Sequence, residues 1–313
     1  MPLNIPQNLP AIELLKKENI FVMDTLRAST QDIRPLNIAL VNLMPLKIST
    51  ETDFVRLLSN SPLQVEIDFI KIKNHQSKNT PEEHLITFYK NFEDIKNKYY
   101  DGLIITGAPV ELLDFEDVTY WDDLTEIFDW AKQHATSTLY ICWAAQAAMH
   151  HFYQIPKYPL AQKRFGVFKH KVVDPHVLLL RGFDDEFYVP HSRHTEIRKE
   201  DVLLHPEIQI LAESPEAGVH LLMARGGREI FMTGHAEYAA NTLHNEYTRD
   251  LAKNLPIEIP QNYYIDNDLS KGISIRWRAH AHLLFKNWLN YYVYQATPFD
   301  SKEIALLGEI VFY

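Results

Sequence analysis

Cysteine is almost absent from this chain: of 313 residues, Cys142 alone is a cysteine. A lone cysteine excludes an internal disulfide framework and any Cys-rich zinc site, and no His-Glu-x-x-His segment supplies a helical metal pair. Glycine is scarce too. None of the ten glycines forms a Gly-x-Ser-x-Gly elbow, which excludes a serine nucleophile of the α/β-hydrolase type. Positive charge is in deficit, with a formal net charge of −10 and no Lys/Arg-rich stripe, and this argues against a nucleic-acid partner. No apolar run approaches spanning length, and MPLNIPQNLP lacks the charged flank and apolar core of a signal peptide. Internal repeats and low-complexity segments are missing as well. What these absences leave is an ordinary globular enzyme expected in a reducing cytoplasm, with no metal and no membrane association.

What is present follows an alternating pattern. Residues 1–35 are punctuated by proline, with a short helix expected over Ala11–Lys17 and an extended approach to Pro35, and read as an arm lying on the body or on a second subunit. Leu36–Leu43 is a nearly continuous apolar run and predicts a buried strand. Thr50 and Asp53 read as a capping box for the next helix, and Lys47 beside it as a solvated lysine. A second strand is expected over Leu63–Ile72, a helix from Pro81 to about Lys96, and a third strand over Gly102–Thr106 that ends in the Gly107-Ala108-Pro109 turn. Trp121–Lys132 has apolar residues at helical spacing. It leads into the run Thr138–Ile141, which changes at Cys142 into an alanine-rich helix.

This βαβαβαβα order implies right-handed crossovers and a parallel sheet covered on both faces. Beyond Tyr153 shorter strands are expected: Val172–Val173, Val177–Leu180, Phe187–Pro190, Ile208–Ala212, His220–Ala224 and Glu229–Met232. They predict an antiparallel extension of the same sheet. Two helices follow, about Ala239–Ala252, with Leu243, Tyr247 and Leu251 on one face and Arg249 on another, and about Trp277–Tyr294, whose aromatics suit a core or subunit contact. Residues 301–313 form a short apolar tail with no function to assign.

Cys142 is placed for chemistry. At a strand-to-helix turn its thiol projects from the carboxyl edge of the sheet and meets free N–H groups and the positive end of a helix dipole, which favour a thiolate. A thiolate nucleophile needs a base working near neutral pH, and histidine suits that work. In Gly234-His235-Ala236-Glu237 the His and Glu side chains lie two apart and point the same way in extended backbone, so Glu237 can orient His235 toward Cys142.

Those residues carry a resemblance. Cys142-Trp143-Ala144-Ala145-Gln146 resembles the Cys-x-Gly-x-Gln nucleophile turn of class I glutamine amidotransferases, with alanine at 144 where that pattern has glycine, and Gly-His-Ala-Glu resembles their His-x-Glu. A closer likeness runs from residue 1 to about Asp300. The segments NLMPLKISTETDF, ITGAPVELLDFEDVTYW, YICWAAQAA, VPHSRHTE, TGHAEY, NEYTRD and NWLNYYVYQATPFD together resemble the homoserine O-acyltransferase family of methionine biosynthesis, the members built on the amidotransferase-like fold.

The resemblance implies an α/β fold of the class I glutamine amidotransferase-like (flavodoxin-like) kind: a mostly parallel sheet with helices on both faces, an antiparallel extension and C-terminal helices. It divides the chain into an arm (1–35), one catalytic domain (36–300) and a tail (301–313). It implies that Cys142 carries the acyl-thioester, that His235 is the base and Glu237 its orienting partner, and that Lys163, Ser192 and Arg249 bind substrate. From the residues alone Lys163 and Ser192 read as solvated surface, whereas a guanidinium at Arg249 suits an amino-acid carboxylate. The N–H groups of Trp143 and Ala108 are the candidate oxyanion donors.

Glu111, just past the Gly107-Ala108 turn, bears on the acyl donor, because acetyl-using members of the family carry glutamate there and succinyl-using members glycine. The expected protein is therefore a cytoplasmic homodimer that transfers acetyl from acetyl-CoA, its co-substrate, to L-homoserine, with no bound cofactor. The alternatives are succinyl transfer, a glutamine amidotransferase subunit, and a non-catalytic thiol sensor.

Overall fold

The computed structural model describes residues 9–17, 34–59, 61–73 and 79–310. In chain order the principal elements are α1 (Ala11–Lys17), β1 (Leu36–Val41), α2 (Lys47–Leu58), β2 (Val65–Lys71), α3 (Glu82–Phe88), β3 (Tyr89–Asn91), α4 (Phe92–Ile95), β4 (Tyr100–Ile105), α5 (Trp121–His134), β5 (Ala135–Ile141), α6 (Trp143–Tyr153), β6 (Tyr158–Val172), β7 (Glu186–Glu196), β8 (Ile208–Ser214), β9 (Gly218–Ala224), β10 (Glu229–Met232), α7 (Thr242–Ala252) and α8 (Arg278–Asn287). Among the described residues the strands join in one sheet, ordered β3-β2-β1-β4-β5-β10-β9-β8-β6-β7. Pairing is parallel from β3 through β5 to β10 and antiparallel from β10 to β7.

Period-2 alternation sorts the parallel strands onto two cores. Ile38, Leu40, Ile104, Leu139, Ile141 and Met232 face one side, against Phe54 of α2 and Phe285 and Trp288 at the end of the chain. Ala39, Val41, Leu103, Ile105, Tyr140 and Phe231 face the other, against Phe128 of α5 and Trp143 and Ala148 of α6. Both faces are covered, as the crossover order requires.

Several local expectations are corrected. The helix expected from Pro81 to Lys96 is broken by β3, because Tyr89–Asn91 add a parallel edge strand to β2, with Phe69 opposite Tyr89. Thr50 and Asp53 lie inside α2, which begins at Lys47 with no side-chain cap. Lys47 is buried, its Nζ donating to the Asn42 carbonyl and lying 5.7 Å from the Tyr89 ring centroid. Desolvation lowers its pKa to about 8, against the pull of the Glu51 carboxylate. Val177–Leu180 is not a strand but contains a 3-10 turn, Leu178–Leu180. Of the pair Val172–Val173, the first ends a 15-residue strand, β6, whose polar first half hides its periodicity, and Val173 lies just beyond it. Leu251 is exposed. The aromatic helix at Trp277–Tyr294 is α8 continued by a π-helix, in which Trp288 and Tyr292 are core and Tyr294 is exposed.

The tail is docked rather than loose. Ile304 is fully buried, and the Arg228 guanidinium donates to Lys132 O at 2.6 Å, Ala135 O at 3.2 Å and Leu307 O, fastening residues 301–308 to the amino edge of β5. Much of the proline-rich arm lies outside the described residues, while α1 forms as the spacing predicts.

Candidate active site

Strand order brings the chemistry together. β5 lies between β4 and β10, with Tyr140 opposite Ile105 and Ile141 opposite Met232, so Cys142, the Thr106-Gly107 turn and the Thr233–Glu237 segment leave the sheet side by side at its carboxyl edge. Residues some ninety positions apart in sequence therefore become neighbours through parallel pairing alone.

Cys142 sits at φ 52°, ψ −115°, a conformation that is costly for a residue with a Cβ. Its N–H donates to Met232 O at 2.6 Å, and its carbonyl accepts from Ala145 and Gln146 as α6 begins, so the pairing on both sides holds the strained turn. Trp143 opens α6, and its N–H has no intrahelical acceptor. Gly107 backs directly onto the cysteine: a Cβ built there would lie 3.1 Å from Cys142 Cβ and 3.7 Å from Sγ, a tight approach that a larger residue would crowd.

His235 is buried and bonded on both sides, Nδ1 to Glu237 Oε1 at 2.6 Å and its other ring nitrogen to Cys142. Tyr238 stacks on the imidazole at 4.1 Å between centroids and 12° between planes. Burial by itself would lower the His235 pKa, but the negative charges of Cys142 and Glu237, with the hydrogen bonds to each, outweigh it and hold the ring well above the usual histidine range.

The second half of the site comes from the β6-β7 hairpin. β6 pairs with β8 only at Lys171 and Val172; the rest of the hairpin reaches over the carboxyl edge of the sheet, where Pro190 O accepts the His235 N–H at 2.8 Å and Thr195 Oγ1 donates to Gln146 Oε1 at 2.7 Å. Lys163 and Ser192 are thereby brought inward, against the solvated reading of these two residues. Both meet Glu246 of α7: Lys163 Nζ at 2.5 Å, and Ser192 Oγ at 2.9 Å from each carboxylate oxygen. Arg249, one turn along α7, lies 3.7 Å from Glu246 and donates through Nε to Asp250 at 2.7 Å.

Glu246 is the residue the sequence reading passed over. Its signal was the i, i+3 spacing to Arg249 in Asn-Glu-Tyr-Thr-Arg-Asp, which puts the two side chains on one helical face. Glu237, Glu246 and Arg249, with Met44, Trp277 and Arg278, line a cleft of about 1360 Å³; Cys142 and His235 are buried and do not line it.

Glu111 is partly buried and accepts from the His194 N–H at 2.5 Å, while Lys157 Nζ holds its carbonyl at 2.7 Å. Burial raises the Glu111 pKa, opposed by the His194 N–H and by the charges of His194, His235 and Lys163, which places the carboxyl in the field of the site.

A strained cysteine turn at the carboxyl edge of a mostly parallel sheet, bonded to a His-Glu pair, defines the class I glutamine amidotransferase-like architecture. Among solved structures, a glutamine amidotransferase from Thermotoga maritima matches with a TM-score of 0.54 at 12% identity, covering 84% of this chain and 100% of that one. At that identity the likeness concerns the fold alone.

Sequence comparison goes further. The family model described as homoserine O-succinyltransferase matches residues 2–299. A protein named homoserine O-acetyltransferase from Azobacteroides pseudotrichonymphae is 69% identical over 310 residues, 99% of each chain. Another of that name from Bacteroides thetaiotaomicron is 67% identical, over 97% of this chain and all of the relative. The chain belongs to the homoserine O-acyltransferase family, the relationship its motifs suggested. Among the described residues, no helix is long and apolar enough to cross a membrane.

Proposed function

We propose that this protein is a homoserine O-acetyltransferase that works through an acetyl-thioester on Cys142, with His235 and Glu237 completing a triad. The observation that carries the mechanism is the Cys142 turn bonded to a His235 ring whose Nδ1 is held at 2.6 Å by Glu237. The names of the full-length relatives support the reaction.

In the resting state the Cys142 thiolate faces an imidazolium. The thiolate attacks the carbonyl carbon of acetyl-CoA; the new C–S bond forms, the bond to CoA breaks, and the His235 proton passes to the departing thiolate. One thioester replaces another, so the acetyl group stays activated. Consuming the thiolate also removes an anion that kept His235 protonated, and the ring becomes a base. It then takes the hydroxyl proton of homoserine as the oxygen attacks. Collapse of the second tetrahedral intermediate releases O-acetylhomoserine and restores the thiolate-imidazolium pair. N–H groups of Trp143 and Ala108 suit the developing oxyanion, as both residues flank the cysteine at adjoining strand ends.

For homoserine, Arg249 offers a guanidinium to the carboxylate, and the Glu246 carboxylate, steadied by Lys163 and Ser192, suits the ammonium. An ionised Glu111 disfavours the distal carboxylate of a succinyl donor and leaves acetyl-CoA unaffected. The reading calls for no resident cofactor and expects a homodimer.

Acetyl-CoA added without homoserine should put one acetyl mass on the peptide containing Cys142, detected by mass spectrometry, and Cys142→Ala should lose both the adduct and turnover. An unmodified peptide together with an active Cys142→Ala variant would end this reading.

A further inference from the structure

Beneath the His235 turn lies a cluster that the reaction does not use. His170, His191 and His220 are fully buried, and their ring nitrogens converge to within 4.8 Å of one another. They come from β6, β7 and β9. Such a trio invites a metal reading, but its surroundings oppose one. No carboxylate belongs to the cluster, and the buried guanidinium of Arg193 stands 3.4 Å from His191 Nδ1. A divalent cation would add charge to an enclosed site that already holds a cation.

The hydrogen bonds instead fix every tautomer. A carbonyl can only accept, so the 3.0 Å contact to Phe168 O puts the His170 proton on Nδ1 and leaves Nε2 as an acceptor. His191 Nε2 lies 3.1 Å from His170 Nε2 and must therefore carry a proton. That leaves His191 Nδ1 to accept from the Arg193 Nε–H. His220 Nδ1 accepts from the Gly234 N–H at 3.3 Å, so its proton is on Nε2. Each ring is neutral, and burial together with Arg193 and the neighbouring rings keeps all three pKa values below the usual range.

This relay is the floor of the catalytic turn. Gly234, immediately before His235, packs so closely on His191 that a Cβ would come within 2.8 Å of ring atoms Cε1 and Nε2. The turn is also fastened by His235 N–H to Pro190 O and by Gly234 N–H to His220. We infer that His170, His191 and His220 are positioning residues for the catalytic histidine: His191 and His170 act through a directional hydrogen-bond relay from Arg193 to the Phe168 carbonyl, and His220 acts by accepting the Gly234 N–H.

Without an acceptor at His170, the His191 N–H is left unpaired, or the ring shifts its proton to Nδ1 and sets a donor against Arg193. Either outcome turns the ring on which Gly234 rests, and the contact has no slack. The inference rests on the reading of His235 as the base, so its test begins with a measurement independent of turnover.

Long-range proton-nitrogen correlation of the histidine rings in the full-length protein, assigned with single-site variants, should show His170 as the Nδ1–H tautomer and His191 and His220 as Nε2–H tautomers. All three should stay neutral from about pH 5.5 to about pH 8. Titration of any of them within that range, a proton on His191 Nδ1, or zinc retained stoichiometrically by the purified protein would overturn the relay.

The functional arm compares His170→Leu with His170→Gln, whose amide oxygen can replace the Nε2 acceptor. The leucine variant should lose about tenfold or more in kcat while KM for homoserine changes by less than about threefold, and the glutamine variant should recover most of the loss. Equal activity of the two variants, whether high or low, would refute the directional role. If the tautomers are as stated but Cys142 is never acetylated, the proposed reaction fails and the relay stands as a structural feature.

Discussion

Replacing Glu111 should separate the two acyl donors. Its carboxylate accepts from the His194 N–H at 2.5 Å and lies in the field of His235 and Lys163, and the proposed reading sets it beside the acyl group carried by Cys142. Two carboxylates about 5 Å apart, at an effective dielectric near 20, repel by roughly 3 kcal/mol. That is on the order of a hundredfold in specificity. Glu111→Gly should therefore raise the ratio of kcat/KM for succinyl-CoA to that for acetyl-CoA by about this factor.

Glu111→Gln keeps the bulk and an acceptor for the His194 N–H but removes the charge. If repulsion governs the choice, glutamine reproduces most of the gain; if space governs it, only glycine does. The raised pKa adds a pH signature. As pH falls toward that pKa the carboxylate gains a proton and the repulsion fades, so the wild-type ratio should rise with acidity, while in Glu111→Gln this component is absent. Steady-state kinetics with both donors across pH read all three effects. A wild-type enzyme that prefers succinyl-CoA, or a ratio unmoved by either substitution, would refute the reasoning.

Three further outcomes are expected. Glu246→Gln should cost about 2 kcal/mol, roughly thirtyfold, in kcat/KM for homoserine, and Arg249→Ala should act on the same half-reaction, while rapid-quench measurement finds acetyl-enzyme formation intact; equal damage to both half-reactions would count against the homoserine assignment. Glu237→Gln removes an anion that holds His235 protonated, so burial gains weight and the ring pKa should drop; the alkaline limb of kcat/KM for acetyl-CoA should move to lower pH, with a loss of about a hundredfold or more, and an unshifted limb would exclude the pairing. Arg228→Met strips the carbonyls of Lys132, Ala135 and Leu307 of a shared donor, at a cost of about 3 kcal/mol; calorimetry should show a melting temperature lower by about 5 °C with kcat unchanged, and an unaltered melting curve would mean that the tail contributes no stability.

The sequence by itself determined the order of the parallel strands' elements, because apolar runs of strand length alternate with 3.6-period helices and both signals are local. It also determined the cysteine turn and the His-x-Glu pair, since the strand-to-helix change at Cys142 and the two-residue spacing of His235 and Glu237 are read along one stretch of chain. Tertiary structure decided what depended on distant partners. Tyr89–Asn91 became a strand because the edge of β2 was there to pair with, overriding a helical pattern. Lys47, Lys163 and Ser192 look like surface residues in isolation; α2 buries the first, and a hairpin whose β6 strand pairs with β8 only at Lys171 and Val172 carries the other two onto Glu246. The histidine floor under Gly234 was equally hidden. Its three rings come from three strands and meet only in the folded chain, since His170 lies opposite Phe187 and His191 opposite Gly166, and hydrogen-bond direction, which no spacing encodes, fixes the proton on each ring.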